Sequence, residues 1–449
     1  MDKDQALAGT WQGSLAVGNG MTLPLVFHFV ESESGFTGSL ESPAQGKSDI
    51  KFDTITLHPD GTFLAAVEKL HAQFEGRFES SKLVGVWKQS GSSLPLSLAR
   101  SAGYQPPKRS QEPQTPFPYA SEEVSFKNGD VAISGTLTLP KNAESCPIVI
   151  LLHGSGPHDR DETIFFHKPF LVLADYLTKR GIGVLRYDKR GCGKTTGDYK
   201  KSTSSDFADD GLAAVNFLKT NARVNATKIG LLGHSEGGLL APIIASKSTN
   251  VSFIVMMAGA ALPGDEILIG QVRQLGGSGG LTKQRLDLEC QIARDTYAIL
   301  KTEPDDKLAI EKIKKMRHRL NPDDESGTTG KDMDAQLAVL TSPWYRYFVA
   351  YDPRPMLSKV HCPMLAINGD HDTQVQATEN LAAITKAVES NGNKKLTVIK
   401  LPGLNHLFQT CTTGLPHEYA TIEETISPKA LTVIGDWIAK QTETSDKIQ

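Results

Sequence analysis

Residues 227–242 read TKIGLLGHSEGGLLAP, and the rest of the chain is organised around this stretch. It has a short apolar run, then GHSEG at residues 233–237, then small residues typical of a buried helix. The pattern G-x-S-x-G is typical of a nucleophile elbow, a tight strand-to-helix turn that lifts a serine hydroxyl clear of the backbone. Glycines flank Ser235 because a side chain there would collide with the neighbouring strand or helix. Since so short a pattern also arises by chance, its interpretation depends on partner residues elsewhere.

Two later motifs supply the partners that a serine nucleophile needs, a histidine base and a carboxylate that orients it. The sequence GDHD at 369–372 and the sequence GLNH at 403–406 each follow a predicted strand. They occur in the order serine, acid, histidine, which this type of elbow requires. His406 is the predicted base, and Asp372 is preferred as the acid because it lies inside the loop. Asp370 is the alternative, although its place at the strand end also suits a cap of the following turn.

The negative charge that develops on the substrate oxygen needs preorganised backbone N–H groups. One is expected from Glu236, which directly follows the nucleophile at the start of a helix. The other is expected from HGSGP at 153–157, the loop after the apolar strand PIVILL. Ser155 is the preferred donor in this loop and Gly156 the second choice. We assign His153 to organising the loop and not to acting as a base.

The chain is too long for one ordinary core, and its composition changes along its length. Residues 1–103 show the alternation of strands, and Trp11 and Trp87 near the first and last strands favour a small barrel or sandwich. This all-β N-terminal domain is interpreted as a structural or docking module. Residues 104–119 are rich in proline and polar residues, typical of an extended linker. Within residues 1–103, turn signals separate the predicted strands at residues 18–20, 34–35, 59–61 and 90–91.

Residues 120–449 show a different pattern, in which a hairpin around 128–130 precedes strands alternating with helices. This alternation predicts a doubly wound α/β sheet. It stops between 263 and 355, where amphipathic helices and an aromatic cluster predict a helical lid insertion. The aromatic residues proposed to line a substrate pocket are Trp344, Tyr345 and Phe348. The alternative is that they only pack the insertion onto the sheet.

Charge is nearly balanced, with 48 Lys and Arg against 51 Asp and Glu, so neither nucleic acid nor an anionic membrane is expected as a partner. No apolar run has the length of a membrane span, and the N-terminus lacks a hydrophobic signal core. The protein is expected to be cytoplasmic, or exported with its signal removed. The sequence leaves open whether the protein forms a homo-oligomer.

No cofactor and no metal are expected. Residues 191–195 read GCGKT, which lacks the full spacing of a phosphate loop, and no metal-ligand pair of the H-E-x-x-H or C-x-x-C type occurs. The five cysteines are scattered, and an odd number cannot all pair within one chain, so no disulfide framework is expected. One local disulfide remains open.

Five motifs in this order resemble the serine esterases of the α/β-hydrolase superfamily. They are HGSGPHDRDE at 153–162, RYDKRGCGKT at 186–195, GHSEGG at 233–238, NGDHDTQV at 368–375 and GLNHLFQ at 403–409. More narrowly, the chain is similar to a bacterial carboxylesterase group whose catalytic domain resembles those of prolyl-oligopeptidase-type peptidases and dienelactone hydrolases. The resemblance implies an α/β-hydrolase fold with Ser235 as nucleophile, Asp372 as acid and His406 as base. It implies a structural role for the loop matched by Tyr187-Asp188 and Arg190-Gly191 within RYDKRG, and we assign this loop no chemistry.

The expected activity is hydrolysis of carboxylic esters with small to medium acyl chains through an acyl-enzyme, with a small-molecule ester as substrate. The nearest alternative is a serine peptidase or amidase of the prolyl-oligopeptidase-like type. Such an enzyme needs a large propeller or an acidic clamp for the substrate amine, and about a hundred β-rich residues are too few for a propeller. A binding protein that only keeps the fold would predict a damaged triad, whereas all three members are present.

Overall fold

The computed structural model describes residues 7–18, 21–33, 35–45, 47–79, 81–89, 92–141, 143–321 and 330–443. Within these ranges the chain forms one nine-stranded sheet and one eight-stranded sheet. Several predicted features fall partly outside them. These are the ends of the two predicted domains, the turn residues Asn19, Gly20, Ser34, Ser90 and Gly91, and residues 322–329 of the predicted lid insertion.

The first sheet is antiparallel throughout and has the order β4-β3-β2-β1-β9-β8-β7-β6-β5. Its strands are β1 Gly9–Gly18, β2 Met21–Ser32, β3 Gly35–Ser42, β4 Lys47–Lys51, β5 Thr54–Leu57, β6 Thr62–Val67, β7 Ala72–Glu79, β8 Lys82–Gln89 and β9 Ser92–Arg100. They alternate buried and exposed residues, as strands with one face on a core do.

This sheet curls until its two ends meet. Between the edge strands β4 and β5, the Phe52 amide donates to a carbonyl of β3, and the Asp53 amide donates to a carbonyl of β6. Across the interior, the ring of Phe27 on β2 lies 5.6 Å from that of Phe74 on β7. The result is a small barrel-like domain around one aromatic core, so the predicted all-β N-terminal domain is confirmed.

The second sheet has the order β10-β11-β13-β12-β14-β15-β16-β17, with antiparallel pairing at β10–β11 and β11–β13 and parallel pairing from β13 to β17. Its strands are β10 Ala120–Asn128, β11 Val131–Leu139, β12 Cys146–Leu152, β13 Gly183–Tyr187, β14 Val224–His234, β15 Val251–Met257, β16 Met364–Gly369 and β17 Leu396–Leu401. The hairpin turn lies at residues 129–130, as predicted.

Helices cover both faces of this sheet, and a further group of helices lies between β15 and β16 along the chain. They are α1 Pro169–Lys179, α2 Ser204–Lys219, α3 Glu236–Lys247, α4 Gly264–Ser278, α5 Lys283–Thr302, α6 Asp306–Leu320, α7 Gly330–Leu340, α8 Pro343–Ala350, α9 Arg354–Leu357, α10 Ala377–Glu389 and α11 Pro428–Thr442. Helices α1 and α11 pack on one face, and α2, α3 and α10 pack on the other. The predicted doubly wound sheet is therefore confirmed.

Helices α4 to α9 form the insertion, which has a small core of its own around Tyr297, Ile313 and Val349. The predicted amphipathic helices are thus present. Their action as a lid stays a prediction.

The proline-rich segment between the two sheets is docked against the second one. The Arg109 guanidinium donates to the carbonyl oxygens of Phe165, Ala420 and Ile422 at 3.2, 2.8 and 2.5 Å. The barrel also contacts the second unit directly, since the Phe165 amide donates to the Ala44 carbonyl at 2.9 Å. The linker and the barrel therefore support the loops that follow β12 and β17.

Candidate active site

Ser235 lies in the turn between β14 and α3, at the carboxyl edge of the parallel strands. Its φ of +52° and ψ of −115° are unusual for a residue with a side chain. The surrounding structure holds it there, because its amide donates to the Met257 carbonyl at the end of β15 at 2.8 Å. The half-buried serine is thus presented from a strained turn, as the elbow pattern predicts.

The two glycines of the pattern have a direct steric reason. A Cβ atom on Gly237 would lie 1.9 Å from the carbonyl oxygen of Leu152, and one on Gly233 would lie 2.0 Å from the carbonyl oxygen of Gly237. Contacts this short with backbone atoms cannot be relieved by a side-chain movement. The turn therefore requires glycine at both positions.

The Asp372 and His406 side chains meet in a buried contact. Asp372 Oδ2 lies 2.7 Å from His406 Nδ1, and the two side chains are 0% and 4% exposed. The other carboxylate oxygen accepts the amides of Gln374 and Val375 at 2.8 and 2.9 Å. Both oxygens have a fixed partner, so the carboxylate is held in one orientation toward the imidazole.

Asp370, the alternative acid, has a different environment. It is exposed, and its Oδ1 accepts the amide of Gly403 at 2.7 Å. This contact caps the turn after β17, and the carboxylate that contacts His406 is that of Asp372.

The turn that carries His406 is built on Asn405, as the Gly and Asn residues of this turn suggest. Its Oδ1 accepts the amides of Leu407 and Gln409 at 3.0 Å each, and its Nδ2 donates to Gln409 Oε1. Asparagine commonly stabilises turns in this way.

His234, which precedes the nucleophile, connects the elbow to the His406 turn. Its Nε2 donates to the His406 carbonyl at 3.0 Å, and the two rings lie 4.9 Å apart. Among the described residues no hydrogen bond joins the Ser235 hydroxyl to His406. Such bonds are often long in free enzymes and tighten when substrate binds. The elbow and the histidine turn are in direct contact.

His234 also faces a buried carboxylate. Its Nδ1 lies 3.2 Å from Glu162, which is 2% exposed. Burial alone would raise the pKa of Glu162, but the nearby histidines, His234 foremost, lower it to about 2. Burial alone would lower the pKa of His234, but the Glu162 carboxylate, together with the His406 carbonyl and Asp372, outweighs burial and raises it. Since both ring nitrogens face acceptors, the protonated imidazole satisfies both contacts.

The loop after β12 lies against the nucleophile, as the sequence predicts. A Cβ atom on Gly154 would be 3.4 Å from that of Ser235. Ser155 is exposed at the edge of the site, and Glu236 is the first residue of α3, where no helical carbonyl accepts its amide. Both predicted amide donors are therefore at the same edge as Ser235.

His153, at the base of this loop, is buried and packs its ring on His158, Phe170 and Tyr187. Burial lowers its pKa to about 3. A neutral, packed imidazole of this kind fits the predicted role as loop organiser.

The Glu236 side chain lies in a buried polar cluster. Its Oε2 accepts from Lys189 Nζ at 2.9 Å, and its Oε1 accepts from Ser204 Oγ at 2.6 Å and from Trp344 Nε1 at 2.7 Å. Trp344 belongs to α8, so the insertion contacts the residue directly after the nucleophile. Sequence reasoning missed Lys189 and Glu162, although both lie inside the motifs that carry the family resemblance.

The three aromatic residues predicted to line a pocket have different surroundings. Trp344 is half-buried beside the elbow and stacks on Phe348 with ring centres 5.3 Å apart. Phe348 is buried against the core of the second sheet. Tyr345 turns toward the core of the insertion, with its hydroxyl 3.3 Å from that of Tyr297. Trp344 is thus the member of this group that contacts the elbow.

Within the described ranges, no group of three or more His, Cys, Asp or Glu side chains is arranged to hold a metal ion. In the same part of the chain, no helix combines the length and apolar character needed to cross a bilayer. No disulfide joins the cysteines of the described residues.

Comparisons with known proteins agree with this architecture. The family model described as the alpha/beta hydrolase family matches residues 149–420. Esterase EstD of Thermotoga maritima is 30% identical over 306 residues, or 67% of this chain and 64% of the esterase, so this chain spans less than two thirds of that protein. A proline iminopeptidase of Saccharolobus solfataricus is 41% identical over 101 residues, which are 22% of this chain and 28% of that enzyme.

Among solved structures, the alpha/beta hydrolase GrgF from Penicillium sp. sh18 aligns with 72% of this chain and 99% of its own, with 16% identity and a TM-score of 0.46. The family model alone spans more than half of the chain, including the elbow and the segments that carry Asp372 and His406. The resemblance seen in the motifs is therefore confirmed, and the chain belongs to the alpha/beta hydrolase family.

Proposed function

We propose that this protein hydrolyses carboxylic esters through an acyl-enzyme, with Ser235 as nucleophile, His406 as base and Asp372 as the acid that orients the base. The observation that carries the proposal is the buried 2.7 Å contact between Asp372 and His406, on a turn that touches the elbow. A serine is a poor nucleophile without such a base. The similarity to a protein named as an esterase supports the same reaction.

In the first half of the proposed mechanism, the Ser235 hydroxyl attacks the ester carbonyl carbon while His406 Nε2 takes its proton. Asp372 stabilises the imidazolium through Nδ1. The amides of Glu236 and Ser155 donate to the oxyanion of the tetrahedral intermediate. The intermediate collapses, the carbon–oxygen bond to the alcohol breaks, and the alcohol leaves with the proton from His406.

In the second half, His406 takes a proton from water, and the resulting hydroxide equivalent attacks the acyl carbon. Collapse of the second tetrahedral intermediate breaks the bond to Ser235, which recovers its proton from His406. The products are a carboxylic acid and an alcohol.

Small to medium acyl esters are the proposed substrates. Trp344 lies beside the elbow with its ring stacked on that of Phe348, and aromatic rings of this kind wall apolar pockets. In this proposal the insertion α4–α9 acts as the lid.

A peptidase that recognises a free substrate amine is the competing function, and one relative is named as a proline iminopeptidase. It would need an unpaired carboxylate near the nucleophile. Among the described residues, the carboxylates that contact the elbow or His406 are already engaged. Glu162 pairs with His234, Glu236 with Lys189, and Asp372 with His406. This pairing favours an ester without a charged amine.

The test is Ser235→Ala, assayed with p-nitrophenyl esters of two to twelve carbons and with a fluorophosphonate probe. We expect loss of both turnover and labelling with an unchanged circular dichroism spectrum, because alanine tolerates the same turn. Ser155→Ala is the matched control, since it keeps the backbone amide and should stay active. Turnover near wild type in Ser235→Ala would contradict the proposal. Faster cleavage of aminoacyl nitroanilides than of esters by the wild type would instead favour the peptidase.

A further inference from the structure

Gly154, in the loop after β12, is held on both sides by buried charged side chains. Its amide donates to Glu162 Oε1 at 2.6 Å, and its carbonyl accepts from Lys189 Nζ at 2.8 Å. Glu162 and Lys189 are each 2% exposed. A single glycine therefore receives one negatively and one positively charged partner out of contact with water.

Each of these charged residues also pairs with a neighbour of the nucleophile. Glu162 pairs with His234, directly before Ser235, and Lys189 pairs with Glu236, directly after it. The loop and the elbow are thus joined twice, once on each side of the serine.

Stability alone does not account for this arrangement. Removing a charged group from water costs several kcal/mol even after relaxation, and apolar residues of similar size often stabilise such a site equally well. Hydrogen bonds to charged groups are, however, short and strongly directional, so they fix geometry better than apolar contacts do. An oxyanion hole needs this, because its donors must lie within about 2.7–3.1 Å of the developing charge.

The Lys189 ammonium group is itself held in place. It lies 4.2 Å from the centre of the Phe207 ring, on α2, in addition to its two oxygen contacts. A lysine on an exposed surface would sample many rotamers. Here the head group is fixed against three different elements.

We propose that Lys189 and Glu162 are positioning residues that hold Gly154, and with it the adjacent Ser155 amide, in a fixed position relative to the Glu236 amide on the elbow. This inference rests on the proposed ester hydrolysis. It assigns a part in transition-state stabilisation to the RYDKRG motif, for which the family resemblance implies only a structural role.

The decisive variant is Lys189→Met, which keeps most of the aliphatic stem and removes the charge. We expect kcat for a p-nitrophenyl ester to fall about 100-fold with KM changed less than about threefold, since loss of one oxyanion donor costs about 100- to 1000-fold. The affinity for a trifluoromethyl ketone, whose hemiketal oxygen occupies the oxyanion hole, should fall by a similar factor. Fluorophosphonate should still label Ser235, but more slowly.

Two further variants separate positioning from folding. Lys189→Met combined with Glu236→Gln removes both charges of the pair, so the melting temperature should recover while kcat stays low. Lys194→Met removes an exposed lysine of the same loop, whose side chain is 74% exposed, and should behave as wild type.

The outcomes are distinct. Normal kcat in Lys189→Met, a change in KM alone, or recovery of kcat together with stability in the double variant would overturn the positioning role. Failure of the wild type both to hydrolyse esters and to react with the fluorophosphonate would instead overturn the proposed function on which this role depends.

Discussion

The N-terminal barrel and the carboxyl edge of the second sheet differ in where their charged residues lie, since ion pairs are exposed in the barrel and buried at the carboxyl edge. The barrel interior is aromatic, with Trp11, Phe27 and Phe74 almost fully buried. Its ion pairs lie outside, as in Lys88–Glu75, where the side chains are 42% and 45% exposed. At the carboxyl edge the pairs are inside, with the side chains of Lys189 and Glu236 only 3% and 1% exposed.

This difference separates two physical tasks. Burial of aromatic area stabilises the barrel without requiring any single side-chain position, because the hydrophobic effect is not directional. Buried charges add little net stability, but each is costly to leave unpaired, so they enforce a particular geometry. The barrel therefore depends mainly on apolar area, whereas the carboxyl edge depends on individual contacts. Four predictions test this contrast.

The largest effect is expected at the Asp372–His406 pair. Asp372→Asn should lower kcat about 10⁴-fold, by analogy with the aspartate of the serine-protease triad, because the amide favours the wrong imidazole tautomer. Asp370→Asn is the matched control two residues away and should change kcat less than about tenfold, because Asp370 caps a turn. Steady-state kinetics on one nitrophenyl ester measures both. An exchange of the two results would identify Asp370 as the acid.

The next effect concerns stability and its dependence on pH. The pKa of Glu162 is lowered to about 2 in the folded protein, whereas a glutamate in the unfolded chain has a pKa of about 4.3. Glu162 therefore gives its full stabilisation above about pH 4.3 and loses it as the pH falls through the folded-state pKa. The pKa of His234 is raised in the folded protein above the value of about 6.5 in the unfolded chain. His234 therefore gives its full stabilisation below about pH 6.5 and loses it as the pH rises through the folded-state pKa. The free energy of unfolding should therefore differ most between wild type and Glu162→Gln from about pH 4.3 to 6.5, by about 3 kcal/mol.

Urea denaturation at pH 3, 5.5 and 8 measures this window. Glu75→Gln in the barrel is the control, because it removes an exposed carboxylate of the same type. A difference between wild type and Glu162→Gln that is constant over this range would show that the Glu162–His234 pair is not charged in the folded protein.

A smaller effect is expected where the insertion meets the elbow. Trp344→Ala should change the ratio of kcat/KM between short and long acyl esters, by about tenfold for each 1.4 kcal/mol of lost contact. Trp344→Phe keeps an aromatic ring but removes the donor to Glu236, so it separates packing from the hydrogen bond. A uniform loss across the ester series with a lower melting temperature would show that the aromatic group is only core.

The smallest effect is expected on the barrel surface. Lys88→Met breaks the exposed pair with Glu75 and should change the free energy of unfolding by less than about 0.5 kcal/mol, because water and salt screen such pairs. Ester kinetics should be unchanged. A loss comparable to that of Glu162→Gln would remove the proposed distinction between the two regions.

The sequence by itself determined the two sheets, the hairpin before the parallel strands and the elbow at Ser235. These follow from local rules, since strand and helix periodicities set which residues are buried, and the strained turn requires glycine two residues before and two residues after the serine. The order of the motifs at 233–238, 368–375 and 403–409 is also what predicts Ser235, Asp372 and His406 as a triad. The lid action of the insertion was predicted from the break in the alternation of strands and helices at 263–355, and it stays a prediction.

Only the tertiary structure decided which side chains meet across these elements. The sequence favours Asp372 over Asp370 by its place in the loop, but the contact itself depends on the path of the loop after β16, which turns Asp372 toward His406. It also left Glu162 and Lys189 without a role, because the partners that join them to the elbow, His234 and Glu236, lie 72 and 47 residues away along the chain. Such contacts depend on where the strands bring their carboxyl ends together, which no local pattern encodes.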